Sequence, residues 1–260
     1  MSHRTRLRDL RPLVRYVDQE QAVVEVHFTA LPAVSVPGRH GPSQSPRRAV
    51  NVALQLDGND GFRDEGRTRV SLEHHRGRVR FEVVRPERWW PAGMGAQPLY
   101  TLTLTLTEPG YGTDTQAVTF GLASVRRDRV LGDAFQPSLL IHGQICDIDA
   151  VLPLDRAHQS ALLPATGESL VLVRDHYGPD LLYDAADRAG ILLIQCVPLH
   201  PQAEVEHIVA QHVARLAPHP SLAGYFVGHL GDLREPVTRA LRQHDPTRPV
   251  FHRFPLYDAA

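Results

Sequence analysis

Fifteen histidines, two cysteines and a dense Arg-Asp-His-Tyr run at 174–177 are the residues of this 260-residue sequence most able to bind a metal, act as a nucleophile or move a proton. A zinc site needs three or four ligands at short, paired spacings. His40, His74–His75 and His219 stand in polar or loop-like stretches without such pairing, so no metal site is expected. Cys146 and Cys196 make no disulfide framework and read as two reduced, partly buried thiols. In Arg174, Asp175, His176 and Tyr177 a guanidinium, an imidazole and a phenol fall within four residues. Their plain reading is an arginine held by Asp175, Asp180 or another acidic neighbour. Nothing in these residues calls for a cofactor.

The charge balance excludes some classes of partner. With 28 basic and 29 acidic residues, no global field draws the chain to nucleic acid or an anionic membrane. Only the start is lopsided, with Arg4, Arg6, Arg8, Arg11 and Arg15 against Asp9. Residues 1–14 are therefore expected to form a solvated basic arm, whose functional reading is contact with an anionic partner. No apolar run approaches the roughly 20 residues of a membrane span. The charged start does not read as a secretory leader, which makes the cytoplasm the expected location.

The elements that would position these side chains come in two halves. Segments 23–28 (VVEVHF), 49–56 (AVNVALQL), 68–73, 78–84 and 101–107 alternate or are rich in β-branched residues, and turn clusters such as DGNDG at 57–61 separate them. Short strands at this spacing predict an antiparallel sandwich over 15–127. The stretch PGRHGPSQSPRR at 37–48 reads as a flexible loop. Beyond about 127 strands and helices alternate: strands at 150–152, 169–173, 191–197, 222–227 and 250–254, with helices at 180–188, 204–216 and 235–243. Repeated βα units predict a parallel sheet covered by helices over 128–260. They number about five, where a closed barrel has eight.

Certain motifs carry a resemblance. RWWPAGMGAQPLY at 88–100, VTFG at 118–121, LIHGQICDIDAV at 140–151, RDHYGPDLLYDAADRAGILLIQCVP at 174–198, HPSLAGYFVG at 219–228 and DPTRPV at 245–250 follow one another as in family 2 glycoside hydrolases. The sequence resembles the immunoglobulin-like domain of that family and the first part of its TIM-type barrel. Ala123 departs from it, standing where the family commonly has arginine. In this resemblance Trp89 and Trp90 are architectural, as aromatic packing at a sandwich edge.

Retaining glycosidases use two carboxyl groups about 5–5.5 Å apart, one as acid/base and one as nucleophile. Aligned without a gap, Gly228 matches the family's glycine, His229 its asparagine and Leu230 the acid/base glutamate. Leucine cannot carry a proton, and Asp232 sits two residues too far along. The nucleophile belongs to a seventh strand for which no residue here is a match. The usual polar triplet after strand one falls on Leu152, Pro153 and Leu154. No catalytic residue is therefore expected, and the candidate ligand-binding residues are Arg174, His176, Tyr177 and His229.

An open parallel sheet would also expose an apolar face, for which Val151, Val171, Val173, Leu193, Val227 and Phe251 are candidates. A protein partner, a second copy of the chain, the sandwich or the tail at 256–260 would have to cover it. The sequence thus points to a non-catalytic structural or binding subunit of a larger assembly. The alternatives are a lectin-like carbohydrate-binding module and a residual or split β-glycosidase.

Overall fold

The computed structural model describes residues 5–31, 48–127, 139–146, 148, 150–155, 169–198 and 204–253. The loop expected at 37–48 and the tail at 256–260 lie almost wholly outside them. Seven strands make the sandwich: β1 (Arg6–Val17), β2 (Gln21–Leu31), β3 (Arg48–Asp57), β4 (Arg63–Leu72), β5 (Arg76–Val84), β6 (Tyr100–Glu108) and β7 (Gly112–Phe120). They form two antiparallel sheets, β1-β2-β5 and β4-β3-β6-β7, in the three-plus-four division of immunoglobulin-like folds. Val24, Val26 and Phe28 from one sheet meet Leu102, Leu104 and Leu106 from the other, all buried. Strict alternation in these strands puts every second side chain into this core.

The expected basic arm is not a tail. Arg6–Val17 is strand, paired antiparallel with β2. Leu7, Leu10 and Val14 are buried in the sandwich core while Arg6, Arg8 and Arg15 face solvent. Arg6, Arg8 and Arg15, which suggested a free arm, are the outer half of a period-two pattern, and the inner half supplies the anchoring. The sandwich accordingly begins at Arg6 rather than at residue 15.

Five parallel strands follow in sequence order: β11 (Ala150–Leu154), β12 (Ser169–Val173), β13 (Leu192–Cys196), β14 (Leu222–Phe226) and β15 (Val250–Phe251). Helices α1 (Asp180–Ala189), α2 (Val205–Leu216) and α3 (Arg234–His244) supply the crossovers described. Helix α1 stops at Gly190, whose φ of 72° only glycine adopts readily. A Cβ there would also sit 2.5 Å from the Ala92 backbone nitrogen, so the same residue brings the WWPAGMG segment against the helix end.

The small strands β8 (Val125–Arg127), β9 (Leu139–Ile141) and β10 (Gln144–Cys146) make a third sheet. Its hairpin turns on His142 and Gly143, both at positive φ, as a two-residue type I′ loop requires. This sheet corrects the expected exposed face. Val171, Val173, Leu193 and Val227 lie beneath the helices, with Tyr183, Val213 and Leu241. The opposite face carries Leu170, Leu172, Ile194, Phe226 and Phe251, packed with Trp89, Val125, Leu139 and Ile141. Val151 and Phe251 do belong to this second face, but it is covered. Sheets buried on both sides lose the alternation that tells one face from the other, which is why the sequence pattern assigned four valine and leucine positions to the wrong side.

Candidate functional site

The C-terminal ends of the parallel strands collect the side chains the sequence singled out. Arg174 follows β12, and its Nε and Nη2 donate to Asp155 Oδ1 and Oδ2 at 2.7 and 2.6 Å. A two-point ion pair of this kind fixes the guanidinium plane. The acidic neighbour is thus Asp155, at the end of β11, rather than Asp175 or Asp180. His176 is buried, with Nδ1 2.8 Å from Asp175 Oδ1. Tyr177 turns the other way and stacks on His212 of α2, ring centroids 3.5 Å apart. Burial there raises the phenol pKa and lowers that of His212 to about 4, so both rings stay neutral near pH 7. His229 stacks on Phe226 at 5.5 Å, and burial lowers its pKa. The four candidate residues therefore share one end of the sheet, yet each is engaged by a different neighbour.

Beneath them lies Gln195, fully buried in β13. Its Oε1 accepts from the Tyr183 hydroxyl at 2.8 Å and the Gly178 N–H at 3.2 Å, while its Nε2 donates to the His176 carbonyl at 2.8 Å. The turn carrying His176 and Tyr177 is held by this amide. Sequence reading passed over Gln195 because a single polar residue in ILLIQCV looks like a defect in an apolar strand.

The position matched to the acid/base glutamate is Leu230, in the 3-10 turn Gly228–Leu233 that follows β14. Its N–H donates to the Val227 carbonyl at 3.1 Å, and its side chain packs against the apolar cluster under the helices. Asp232 is exposed on the same turn. Leu152, Pro153 and Leu154 are within β11 itself rather than after it, and Leu154 is buried.

A second polar group was not legible in the sequence. Asp184, Asp187 and His219 bring three potential ligand atoms within 4.8 Å of one another. Asp187 Oδ2 meets His219 Nδ1 at 2.7 Å, and its Oδ1 accepts from the Ser221 hydroxyl and N–H at 2.5 and 3.1 Å. The Asp187 carbonyl accepts the indole N–H of Trp89 at 2.8 Å. With its oxygens occupied in this way, Asp187 ties α1, the approach to β14 and the sandwich exit together. Trp89 is wholly buried, as expected of an architectural residue, but it lies in the layer between sandwich and parallel sheet rather than in the sandwich core. Arg248 completes the scaffold, donating from Nε to the Leu222 carbonyl at 2.6 Å and from Nη2 to that of His219 at 3.2 Å.

An immunoglobulin-like sandwich joined by a hairpin to a parallel βα sheet is the class of scaffold seen in family 2 glycoside hydrolases, and the comparisons agree. Residues 33–122 match the family model of glycosyl hydrolases family 2. The chain is 30% identical over 175 residues to an exo-beta-D-glucosaminidase of Streptomyces avermitilis, a match covering 56% of this chain and 19% of that protein. A second exo-beta-D-glucosaminidase, from Amycolatopsis orientalis, is 28% identical over 180 residues, covering 58% and 17%. The crystal structure of the Amycolatopsis orientalis exo-chitosanase superposes on 95% of this chain and 32% of its own, with a TM-score of 0.67 at 19% identity. A beta-D-mannosidase from Dictyoglomus thermophilum gives 0.65 at 19% identity, over 95% and 34%. The chain is family 2 glycoside hydrolase-like, and its matches span less than a fifth of these curated relatives. Among the described residues, no helix is long and apolar enough to cross a membrane.

Proposed function

We propose that this chain is a non-catalytic member of the family 2 scaffold, acting as a structural or binding subunit of a larger protein assembly. The observation that carries the reading is Leu230. It occupies the acid/base position of the resemblance, and its aliphatic side chain, which carries no titratable proton, packs against the apolar cluster beneath the helices. The pairing of Arg174 with Asp155 agrees with the same reading, because two of the guanidinium's donors are spent on a carboxylate of the chain itself.

The surface proposed for a partner is the edge of the parallel sheet rather than its face. Strand β11 pairs on one side only among the described residues, and Leu152 on it is exposed. Ile145 of the neighbouring hairpin is exposed as well. An unpaired parallel edge with apolar neighbours is a template for another chain. The lectin-like reading has less support, since Arg174, His176, Tyr177 and His229 are engaged separately.

The test is turnover of p-nitrophenyl β-glycosides (glucosaminide, mannoside, galactoside and glucuronide) by the purified chain. The expected result is no release above the buffer blank. Release that disappears on Asp232→Asn would overturn the proposal, because it would make one of the chain's own carboxyl groups the acid/base.

A further inference from the structure

The outer face of the β1-β2-β5 sheet meets α2 and α3 across a cleft of about 430 Å3. On β1, Leu13 leaves the sandwich and is buried in the cluster beneath the helices. Two residues earlier on the same face is Arg11, directly opposite His27 in the antiparallel register. A bulge lies between Arg8 and Arg11, with Asp9 at a φ of 54°, and bulges of this kind re-aim the side chains beside them. On the helix side Ala210 and Ala214 keep the cleft open, and His207 and His244 line it.

Arg11 is the anomaly. Its Nε is buried and has no hydrogen-bond partner. The largest attraction comes from Asp245, whose oxygens already accept from the Tyr225 hydroxyl at 3.2 Å and from the Thr247 N–H and hydroxyl at 3.0 and 2.5 Å. Burial pulls the Arg11 pKa below its ordinary value, opposed by the charges of Asp245 and of Asp9, which also lines the cleft, and Arg76 adds like-charge repulsion. Arg76 lines the same cleft. Among the described residues neither guanidinium has a carboxylate within salt-bridge distance. Nearby imidazoles are better provided for: His27 lies 2.6 Å from Glu25 and His244 2.6 Å from Glu206. A desolvated guanidinium with an idle donor, beside a second one on the same wall of the cleft, is an arrangement that an anion would complete.

We propose that this cleft binds a small oxyanion, the carboxylate or phosphate of a compact polar molecule, with Arg11 and Arg76 as its two guanidinium arms. The cleft shares no lining residue with the cluster of Arg174, His176, Tyr177 and His229, and it is independent of whether the chain has glycosidase activity. The bland alternative is that Arg11 serves only as a distant counter-charge to Asp245. Calorimetric titration of the full chain with inorganic phosphate and, separately, with citrate, both at constant ionic strength, distinguishes the two. Saturable binding is expected, with the tighter of the two probes naming the class of oxyanion. Arg11→Gln and Arg76→Gln should each weaken it at least tenfold, and Arg63→Gln, on the other sheet beside Asp57, should leave it within twofold. Arg76 is exposed, so its variant folds whether or not Arg11→Gln does. Absence of saturable binding with both probes, or binding by Arg76→Gln within twofold of the parent, overturns the proposal.

Discussion

Replacing Trp89 by alanine should separate the unfolding of the sandwich from that of the parallel sheet. The indole is wholly buried in the layer shared by the two units, beside Val125, Ile141, Leu172 and Phe226. Its N–H satisfies the Asp187 carbonyl, and its own carbonyl lies 2.9 Å from His142 Nε2. Truncating a buried tryptophan to alanine costs about 3–5 kcal/mol through lost burial and the residual cavity. The orphaned Asp187 carbonyl adds about 1–3 kcal/mol where water cannot reach it. Trp89→Phe keeps most of the ring and should cost mainly the second of these. Urea unfolding followed by far-UV circular dichroism and by fluorescence provides the assay. The chain has two tryptophans, Trp89 and Trp90, so in the variant the emission reports Trp90 alone, at the same interface. The parent should show coincident transitions; Trp89→Ala should show the fluorescence transition several tenths molar below the dichroism one. Coincident curves with a loss below about 1 kcal/mol would refute the account of Trp89 as the coupling between the units.

Gly190→Ala should cost clearly more than Gly61→Ala in the same urea experiment. Both glycines have positive φ, but a Cβ at Gly190 meets the Ala92 nitrogen at 2.5 Å while one at Gly61 meets nothing within 4 Å. Gly61→Ala then reports only the left-handed penalty of about 1–2 kcal/mol, and equal losses would remove the packing argument. Glu108 is held below its ordinary pKa of 4.5 mainly by hydrogen bonds from Arg48. Its contribution is complete above that pH and is lost as pH falls through the lowered folded value, so Glu108→Gln should flatten the acid limb of the stability curve. His212 has a folded pKa of about 4 against an ordinary 6.5, chiefly from burial. Its share of stability is present above pH 6.5 and fades as pH falls from 6.5 towards 4, a slope that His212→Phe should reduce in thermal melts across that window.

Much of the fold was legible because its strands repeat simple periods. The strand at 169–173, the helix beginning at Asp180 and its stop at Gly190 stand where the sequence put them. Residue type failed where it was read without its alternation. The arginines before Tyr16 looked like a tail, although Leu7, Leu10, Leu13 and Val14 between them carry the anchoring. The apolar strands 169–173 and 191–197 gave no sign of which face met the helices, because both faces are buried. At the site, Leu230 and the Arg174 cluster were visible through their spacing to the family motifs. The partners Asp155, His212 and Gln195 were not, since hydrogen bonding between strand ends and packing on α2 join residues far apart in sequence. Arg11 was seen as a surface charge, and only its opposition to α2 and α3 reveals a buried one.

Leu13 has a consequence for how the chain can be divided. Strand β1 sends Leu7, Leu10 and Val14 into one core and Leu13 into the other, so the first strand is common property of two units. The usual cut after the last sandwich strand would therefore leave each half incomplete. The sandwich would carry Leu13 and Trp89 into solvent as sticky side chains, and the helical half would lose the plug between β1 and α2. Such a chain gains its native shape late, once residues near 13 have met residues near 213, and long-range closure of this sort slows folding. Exchanging the sandwich for another of the same topology would then succeed only if the replacement brought its own side chain to that spot.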